Sequence, residues 1–596
     1  MSSLHAFKGG EFLIRPLLPS EIFIPEDFTE EQKMISQTCL DFIRTEVHPI
    51  LNEIDFANDT SVMVGLLDKA GELGLLGTSV PEEYGGFGMD FNTSMLVAEA
   101  CGSGHSFAVA LSAHTGIGTL PIVYYGTEEQ KNTYLPKLAS GEWKAAYCLT
   151  EPDSGSDANA AKTKARLNEA GTHYVLNGQK MWITNGGFAD LFIVFAKIDD
   201  DKNLTAFLVE KSFSGISMNE EEHKMGIKGS STRQIFFTDC EVPVDNLLFK
   251  REGGFKIAVN ILNIGRIKLA AAVLGGSKQI VNQAVNYSNE RKQFGQSIHS
   301  FGAIQAKLAN MIVRIYASEA ASYRAGQNID ESISSLKAAG MNDAEAKLKG
   351  VEQFSIECAI LKVHASEVLD FVADEGVQIF GGMGFSAEAP MERAYRDARI
   401  NRIFEGTNEI NRLLAIGTVL KRALKGEIDL MPAAMAVGKE ILGVPDFSTE
   451  VPEGVFGKEY KVIANAKKAI LMTAGAAIQK FTTEIEHHQE ILMGISDMMI
   501  EVYVAESALA RVDKLMLRDG AEAHQIAKEC ALVYLHEAID KVANSGKEVI
   551  MGFAKGDELN VLLLGLKRFT KIEPKNLIES RRLIAQAAIR KNGYIF

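Results

Sequence analysis

The chain has 596 residues, 46% of them hydrophobic and 23% charged, with a formal net charge of −15. That balance fits a globular protein of about three or four domains and excludes nucleic acid as a main partner, because phosphate binding needs a basic footprint. No secretory signal pattern opens the chain, no run reaches about 18 uninterrupted apolar residues, and the six cysteines (Cys39, Cys101, Cys148, Cys240, Cys358, Cys530) are scattered without a CxxC pair; a cytoplasmic setting with reduced thiols and no metal site is expected.

From Thr29 to about Ser140, apolar residues recur at helical spacing; Met34, Ile35, Cys39, Phe42 and Ile43 share one face. The turn Tyr84–Gly88 interrupts this region, and Ala108–Ala113 is a helix of small residues. Between about Ala146 and Val244 the pattern becomes strand-like. Tyr174–Leu176 and Lys180–Thr184 flank the turn dipeptide Asn177-Gly178 and predict a hairpin. Leu191–Phe195, Thr205–Val209 and Gln234–Phe237 are further strands without crossover helices, which predicts an antiparallel domain. Helical periodicity returns at Gly254 and continues to about Lys425, as in a helix bundle. A linker with Pro432, Pro445 and Pro452 leads to a last helical region, whose first helix carries Ile463, Ala466, Ile470, Ala474, Ala477, Phe481 and Ile485 on one face. The expected fold is mainly α with a central antiparallel β-domain: an α-domain (29–145), the β-domain (146–252), a four-helix bundle (253–428), a linker (429–457) and an added α-domain (458–596).

Chemistry concentrates in a few motifs. In Ile403-Phe404-Glu405-Gly406-Thr407-Asn408-Glu409-Ile410-Asn411-Arg412, one acid stands between an apolar pair and a glycine. A carboxylate there can lose its water shell and become a stronger base, although a helix start with Thr407 near the cap reads equally well. The loop Tyr147–Asp157 offers hydroxyls and amides suited to the edge of a ring system. Trp182-Ile183-Thr184-Asn185-Gly186-Gly187 could wall a flat cofactor or simply supply a core tryptophan. Arg291 in Glu290–Gly295 and the glycines of Val377–Phe385 suit a phosphate, and each alone reads equally well as a solvated helix end or a glycine turn. Neither a dinucleotide GxGxxG after a strand nor a P-loop occurs.

Taken in order and spacing, these motifs resemble the acyl-CoA dehydrogenases from about Thr29 to Leu424, and the added C-terminal region is most similar to the very-long-chain branch. The resemblance implies FAD-dependent α,β-desaturation of a fatty acyl-CoA. Glu405 would take the α-proton, the β-hydride would go to flavin N5, and an electron-transferring flavoprotein would receive the electrons. It further implies that Tyr147, Leu149, Thr150 and Ser156 edge the isoalloxazine, Ser156 also nearing CoA, with Trp182 and Thr184 on its other side. Arg291, Gln293, Gln378 and Gly382 would hold the diphosphate or adenosine across a homodimer interface, and Thr407 and Glu409 would meet FAD beside the base. Asn263, Arg266, Phe404 and Gly406 would line the acyl-CoA channel. In a minority of relatives the base immediately precedes the arginine matching Arg266; here that residue is Gly265, which places the chain with the majority.

Ala108, Ala110, Ser112 and Ala113 stand where shorter-chain relatives carry bulkier side chains, so a long acyl tail is expected, although small residues on a helix serve close packing equally well. Lys458, Lys461, Lys467, Lys468 and Lys480 on an apolar helix could approach a membrane surface, as in mitochondrial relatives, or form a solvated face. Two other readings stay open at this point: an acyl-CoA oxidase using oxygen, and an assembly role without chemistry.

Overall fold

The computed structural model describes residues 7–56, 59–443 and 454–596. Its N-terminal helices begin where the sequence supplies caps. Thr29 and Gln32 close a reciprocal box at the head of Glu30–Phe42, Thr127 and Gln130 do so for Glu128–Ser140, and Asp90 accepts from Thr93 N at 2.6 Å to start Phe91–Cys101. Phe91–Cys101 lies flush against the long bundle helix Gly254–Glu290. A Cβ on Gly102 would fall 1.8 Å from Ala272 O, and one on Gly275 would fall 1.9 Å from Glu99 O, so only glycine permits this approach.

The central sheet comprises β1 (Ala145–Cys148), β2 (Lys164–Leu167), β3 (His173–Thr184), β4 (Leu191–Ile198), β5 (Thr205–Glu210), β6 (Ile216–Met218), β7 (Thr232–Pro243) and β8 (Leu247–Leu248). The order is β6-β7-β3-β2-β4-β5-β8, with β1 also on β4. Most pairs are antiparallel, as expected, but β1 and β2 both pair parallel to β4, so the sheet is mixed. The two take consecutive stretches of β4, β1 at Leu191–Val194 and β2 at Lys197–Ile198, a long-range arrangement that alternation cannot signal.

The expected hairpin at Asn177-Gly178 is instead one continuous strand. The pair sits at a register shift between β3 and β7, where Asn177 exchanges hydrogen bonds with Asp239 at 2.9 and 3.1 Å. Gly178 leaves room for Thr163, whose side chain a Cβ would meet at 2.5 Å.

The bundle consists of Gly254–Glu290, Gly302–Ala338, Ser355–Phe380 and Asn408–Leu424; Asp343–Gln353 precedes the third helix and is broken from it at Phe354. Where a linker is expected, the helix Leu430–Leu442 forms, with Pro432 in its first turn, where the missing N–H costs nothing. Pro445 and Pro452 lie outside the described residues. The extension then contributes Gly457–Phe481, Gln489–Asp519, Gln525–Phe553, Gly556–Phe569 and Leu577–Lys591, whose apolar faces share one continuous core with the bundle.

Charged pairs reinforce that junction. Arg511 of the extension, 1% exposed, donates to Glu319 (2.5 Å) and Glu26 (2.7 Å), while Glu506 receives Arg324 (3.1 Å) and Lys467 (2.5 Å). Lys467 is therefore a buried interface residue, not part of a solvated face; Lys458 and Lys468 pair with Glu573 and Glu440. Ser106–Tyr125 and Gly254–Glu290 are long and apolar enough by mean hydropathy to cross a membrane, but 67% of the most apolar 18-residue stretch of each is buried in the fold.

Candidate active site

Between the N-terminal helices and the bundle lies an open cleft, with Thr184 at the end of β3 on its wall. Glu405 projects into it. The carboxyl hangs directly over Gly265: a Cβ there would sit 2.7 Å from Glu405 Oε2 and 3.0 Å from Oε1. The position that carries the base in the minority arrangement is thus filled by this acid's own oxygens.

Glu405 reaches this place from a strained backbone. Its φ is +58°, followed by Gly406 at +82°, and a non-glycine residue in that region costs on the order of 1 kcal/mol or more. Three side chains hold the loop by its carbonyls. Arg266 Nε donates to Glu405 O (3.2 Å), Lys362 Nζ to Gly406 O (2.7 Å), and Asn411 Nδ2 to Gly406 O (2.7 Å) and Thr407 O (3.1 Å). Thr407 then caps Asn408–Leu424 by accepting from Ile410 N at 3.3 Å.

The electrostatics follow from this packing. Glu405 Oε2 is shut off from solvent and has no hydrogen-bond partner among the described residues. Burial pushes the carboxyl up to about 7, with Arg266 and Lys362 pulling the other way. Lys362 is fully buried and its acceptors are neutral (Gly406 O and Asn408 Oδ1); burial brings it down to about 7 despite the attraction of Glu405. Burial likewise lowers Arg266, whose Nη1 donates to Asn263 Oδ1 at 2.7 Å. Two buried basic groups, neither hydrogen-bonded to a carboxylate, therefore flank the Glu405 carboxyl. Such a site favours negative charge developing in the cleft. The Glu405 N–H has no acceptor among the described residues and is free to donate to it.

Of the residues singled out in the sequence, the structure brings Glu405, Phe404 and Thr184 together on the cleft wall. Tyr147 and Leu149 are buried and Thr150 is half-buried; Glu405's charge adds to the burial that holds the Tyr147 phenol well above its usual range. Trp182 takes φ +60° and stands 53% exposed. Asn263, Arg266 and Gly406 are not among the cleft-lining residues: Arg266 holds Glu405 O and is itself bound to Asn263, and Gly406 is used through its carbonyl. Ser156 and Glu409 are exposed and also off the cleft, while Thr407 is the cap.

Arg291, Gln293, Gln378 and Gly382 form a separate, exposed group. The stacked pair Tyr287–Phe380, 4.0 Å between centroids, gathers the ends of their two helices. Beside them Phe294 is 92% and Phe385 87% exposed.

Sequence reasoning missed Lys362, Asn408 and Asn411, and also Lys268, one turn beyond Gly265, which burial lowers to about 8 and whose Nζ donates to Ser79 Oγ at 3.1 Å. A lone lysine inside the apolar run Ile360-Leu361-Lys362-Val363 was the available signal. Of the small residues expected to open the channel, Ala108, Ser112 and Ala113 line it. Ala110 faces the core, with its carbonyl accepting from Asn185 Nδ2 at 3.0 Å.

An acid raised toward neutrality on the wall of a cleft between the N-terminal helices and the bundle has the chemistry of a general base, and the orphaned Tyr147 hydroxyl and the Thr184 wall fit a flat polar-edged cofactor. Comparison with known proteins makes the class specific. Family models of acyl-CoA dehydrogenases match as N-terminal domain (29–142), middle domain (146–240) and C-terminal domain (252–420), and a further C-terminal-domain model matches 465–568. The chain is 46% identical to a probable acyl-CoA dehydrogenase of Bacillus subtilis over 98% of both chains. It is 35% identical to the human mitochondrial very long-chain specific acyl-CoA dehydrogenase over 87% of this chain and 79% of that one. A solved acyl-CoA dehydrogenase complexed with FAD, from Bacillus anthracis, superimposes with a TM-score of 0.96 at 46% identity, covering 99% of this chain and all of the other. The chain belongs to the acyl-CoA dehydrogenase family and is an FAD-dependent oxidoreductase acting on CH–CH bonds.

Proposed function

We propose that the protein dehydrogenates long-chain acyl-CoA thioesters with Glu405 as the base, passes the electrons to an electron-transferring flavoprotein, and works as a cytoplasmic homodimer. The observation that carries the base assignment is the Glu405 carboxyl held over Gly265, with its Oε2 shut off from solvent and without a hydrogen-bond partner among the described residues. A thioester α-proton is weakly acidic, so its removal needs a desolvated base together with stabilisation of the enolate oxygen. Glu405 accepts the proton, its free N–H donates to the oxygen, and the Arg266 and Lys362 charges behind the loop favour the anion. Tyr147, Leu149, Thr150, Trp182 and Thr184 would hold the flavin ring, and Arg291, Gln293, Gln378 and Gly382 the rest of FAD. When bound, FAD supplies the acceptor for the β-hydride.

Substrate length is supported by the cleft. From Gly265, under Glu405, its lining continues along Gly254–Glu290 to Gln283, a rise of about 27 Å. One leaflet of a bilayer, which matches a membrane lipid's acyl tail, is about 15 Å. Small residues keep this length open: Ala108, Ser112 and Gly116 on one side, Ala272 and Gly276 on the other. The exposed aromatics Phe294 and Phe385 beside Arg291 and Gly382 support a second copy completing the adenosine end.

The test is anaerobic titration with acyl-CoAs of graded length. Palmitoyl-CoA should bleach the flavin, octanoyl-CoA should do so more slowly, and Glu405→Gln should keep its colour and not bleach. Bleaching by Glu405→Gln overturns the base assignment, preference for octanoyl-CoA overturns the length assignment, and reoxidation by oxygen faster than by electron-transferring flavoprotein overturns the acceptor.

A further inference from the structure

An unbroken line of polar contacts joins the Glu405 loop to the C-terminal extension. Lys362 Nζ, bound to Gly406 O, also donates to Asn408 Oδ1 at 2.8 Å. Asn408 Nδ2 donates to Glu367 Oε1 at 3.0 Å. Glu367 receives both arms of Arg412, Nη1 at 2.8 Å and Nη2 at 3.1 Å, and Arg412 Nε donates to Asp497 Oδ1 at 2.7 Å. Lys362 and Glu367 stand on Ser355–Phe380, Asn408 and Arg412 on the helix that follows the base, and Asp497 on Gln489–Asp519 of the extension. The line passes along a polar cavity of about 800 Å3 between bundle and extension, lined by Glu367, Arg412 and Asp497 among others.

The guanidinium fork makes this line directional. Arg412 has its donors fixed in one plane, so a partner on Nε sets the direction of the two Nη arms. Asp497 supplies the only contact on this line that comes from the extension. We propose that Asp497 is a positioning residue for Glu405: by holding Arg412 from the extension side, it keeps Glu367, and through it Asn408 and Lys362, where the strained loop needs them. The C-terminal extension is on this account part of the catalytic apparatus, although it contributes no residue to the cleft.

The proposal rests on Glu405 as the base, and the experiment separates the two. FAD-loaded full-length protein is mixed anaerobically with palmitoyl-CoA, and the rate of flavin reduction is read against substrate concentration. Asp497→Ala should slow the limiting rate about tenfold, with half-saturation, FAD content and Tm unchanged. Asp497→Glu should recover at least half of the loss. In Asp497→Ala combined with Glu367→Gln the losses should not multiply, because both break the same line. A wild-type rate in Asp497→Ala, a loss that Asp497→Glu does not recover, or losses that multiply would each overturn the proposal. An inert Glu405→Gln beside a fully active Asp497→Ala sinks only the relay, whereas an active Glu405→Gln sinks the base assignment itself.

Discussion

Glu319 is a buried glutamate and Glu405 a half-buried one whose Oε2 is shut off from solvent, and their proton affinities move in opposite directions. Burial alone raises each. At Glu319 that push is outweighed by Lys278 and by Arg511 (2.5 Å), which hold the carboxyl below its usual range. At Glu405 the cations Arg266 and Lys362 spend their hydrogen bonds on backbone and amide oxygens, so desolvation wins and the acid rises to about 7. Hydrogen-bonded pairing makes a structural acid; withheld pairing makes a reactive one. The first fixes the extension to the bundle, and the second equips the cleft.

The comparison can be broken most severely at the reactive acid. Glu405→Gln should lower the rate of flavin reduction by roughly 10²–10⁴-fold while the protein keeps FAD, read by stopped flow. Gly265→Ala should cost about a hundredfold with FAD retained, because the new methyl claims the space of the Glu405 oxygens and a displacement of about 1 Å is expensive in a bound geometry. Arg511→Met tests the structural acid. It leaves Glu319 with fewer partners and should cost about 3–5 kcal/mol, read as a lower Tm, with little change in the residual rate of the folded enzyme.

Two pH experiments sharpen the contrast. Only ionised Glu405 accepts a proton, so activity should rise with pH through about 7. In Lys362→Met a neighbouring cation is gone and the ionised form is harder to reach, so that limb should move to higher pH; a limb that stays in place would show that Lys362 is electrostatically silent. Stability should respond with opposite signs at the two acids. Because the folded protein holds the Glu405 proton more tightly than the unfolded chain does, this residue should erode stability as pH rises from about 4.5 to 7. Glu405→Gln should therefore melt above wild type at pH 7.5 and with it at pH 4.5. Glu319, held low, contributes stability that is present above its unfolded pKa and is lost as pH falls through its folded one.

The position of Glu405 on the cleft was legible because its signal is local: an acid, a glycine and a capped helix lie within ten residues, and the helices that carry them announce themselves by period. What holds the base was not legible. Lys362 is 43 positions from Glu405 in sequence, and nothing in the run around it says which way it points. Asn263 and Arg266 were visible, but whether they face the cleft or the loop turns on the rotation of one helix, which packing decides. Asn177-Gly178 carries a turn's signature, and the cross-strand bonds to Asp239 use it as a bulge instead. The parallel pairings on β4 and the helix within the expected linker likewise depend on neighbours far along the chain.

The buried Arg324–Glu506 and Arg511–Glu319 pairs bear on how such a protein can change over time. Deleting the extension would remove Glu506 and Arg511 together, leaving Arg324 without its carboxylate and Glu319 with Lys278 alone on a bundle face stripped of its apolar cover, so truncation should cost the remaining fold far more than the loss of the added helices themselves.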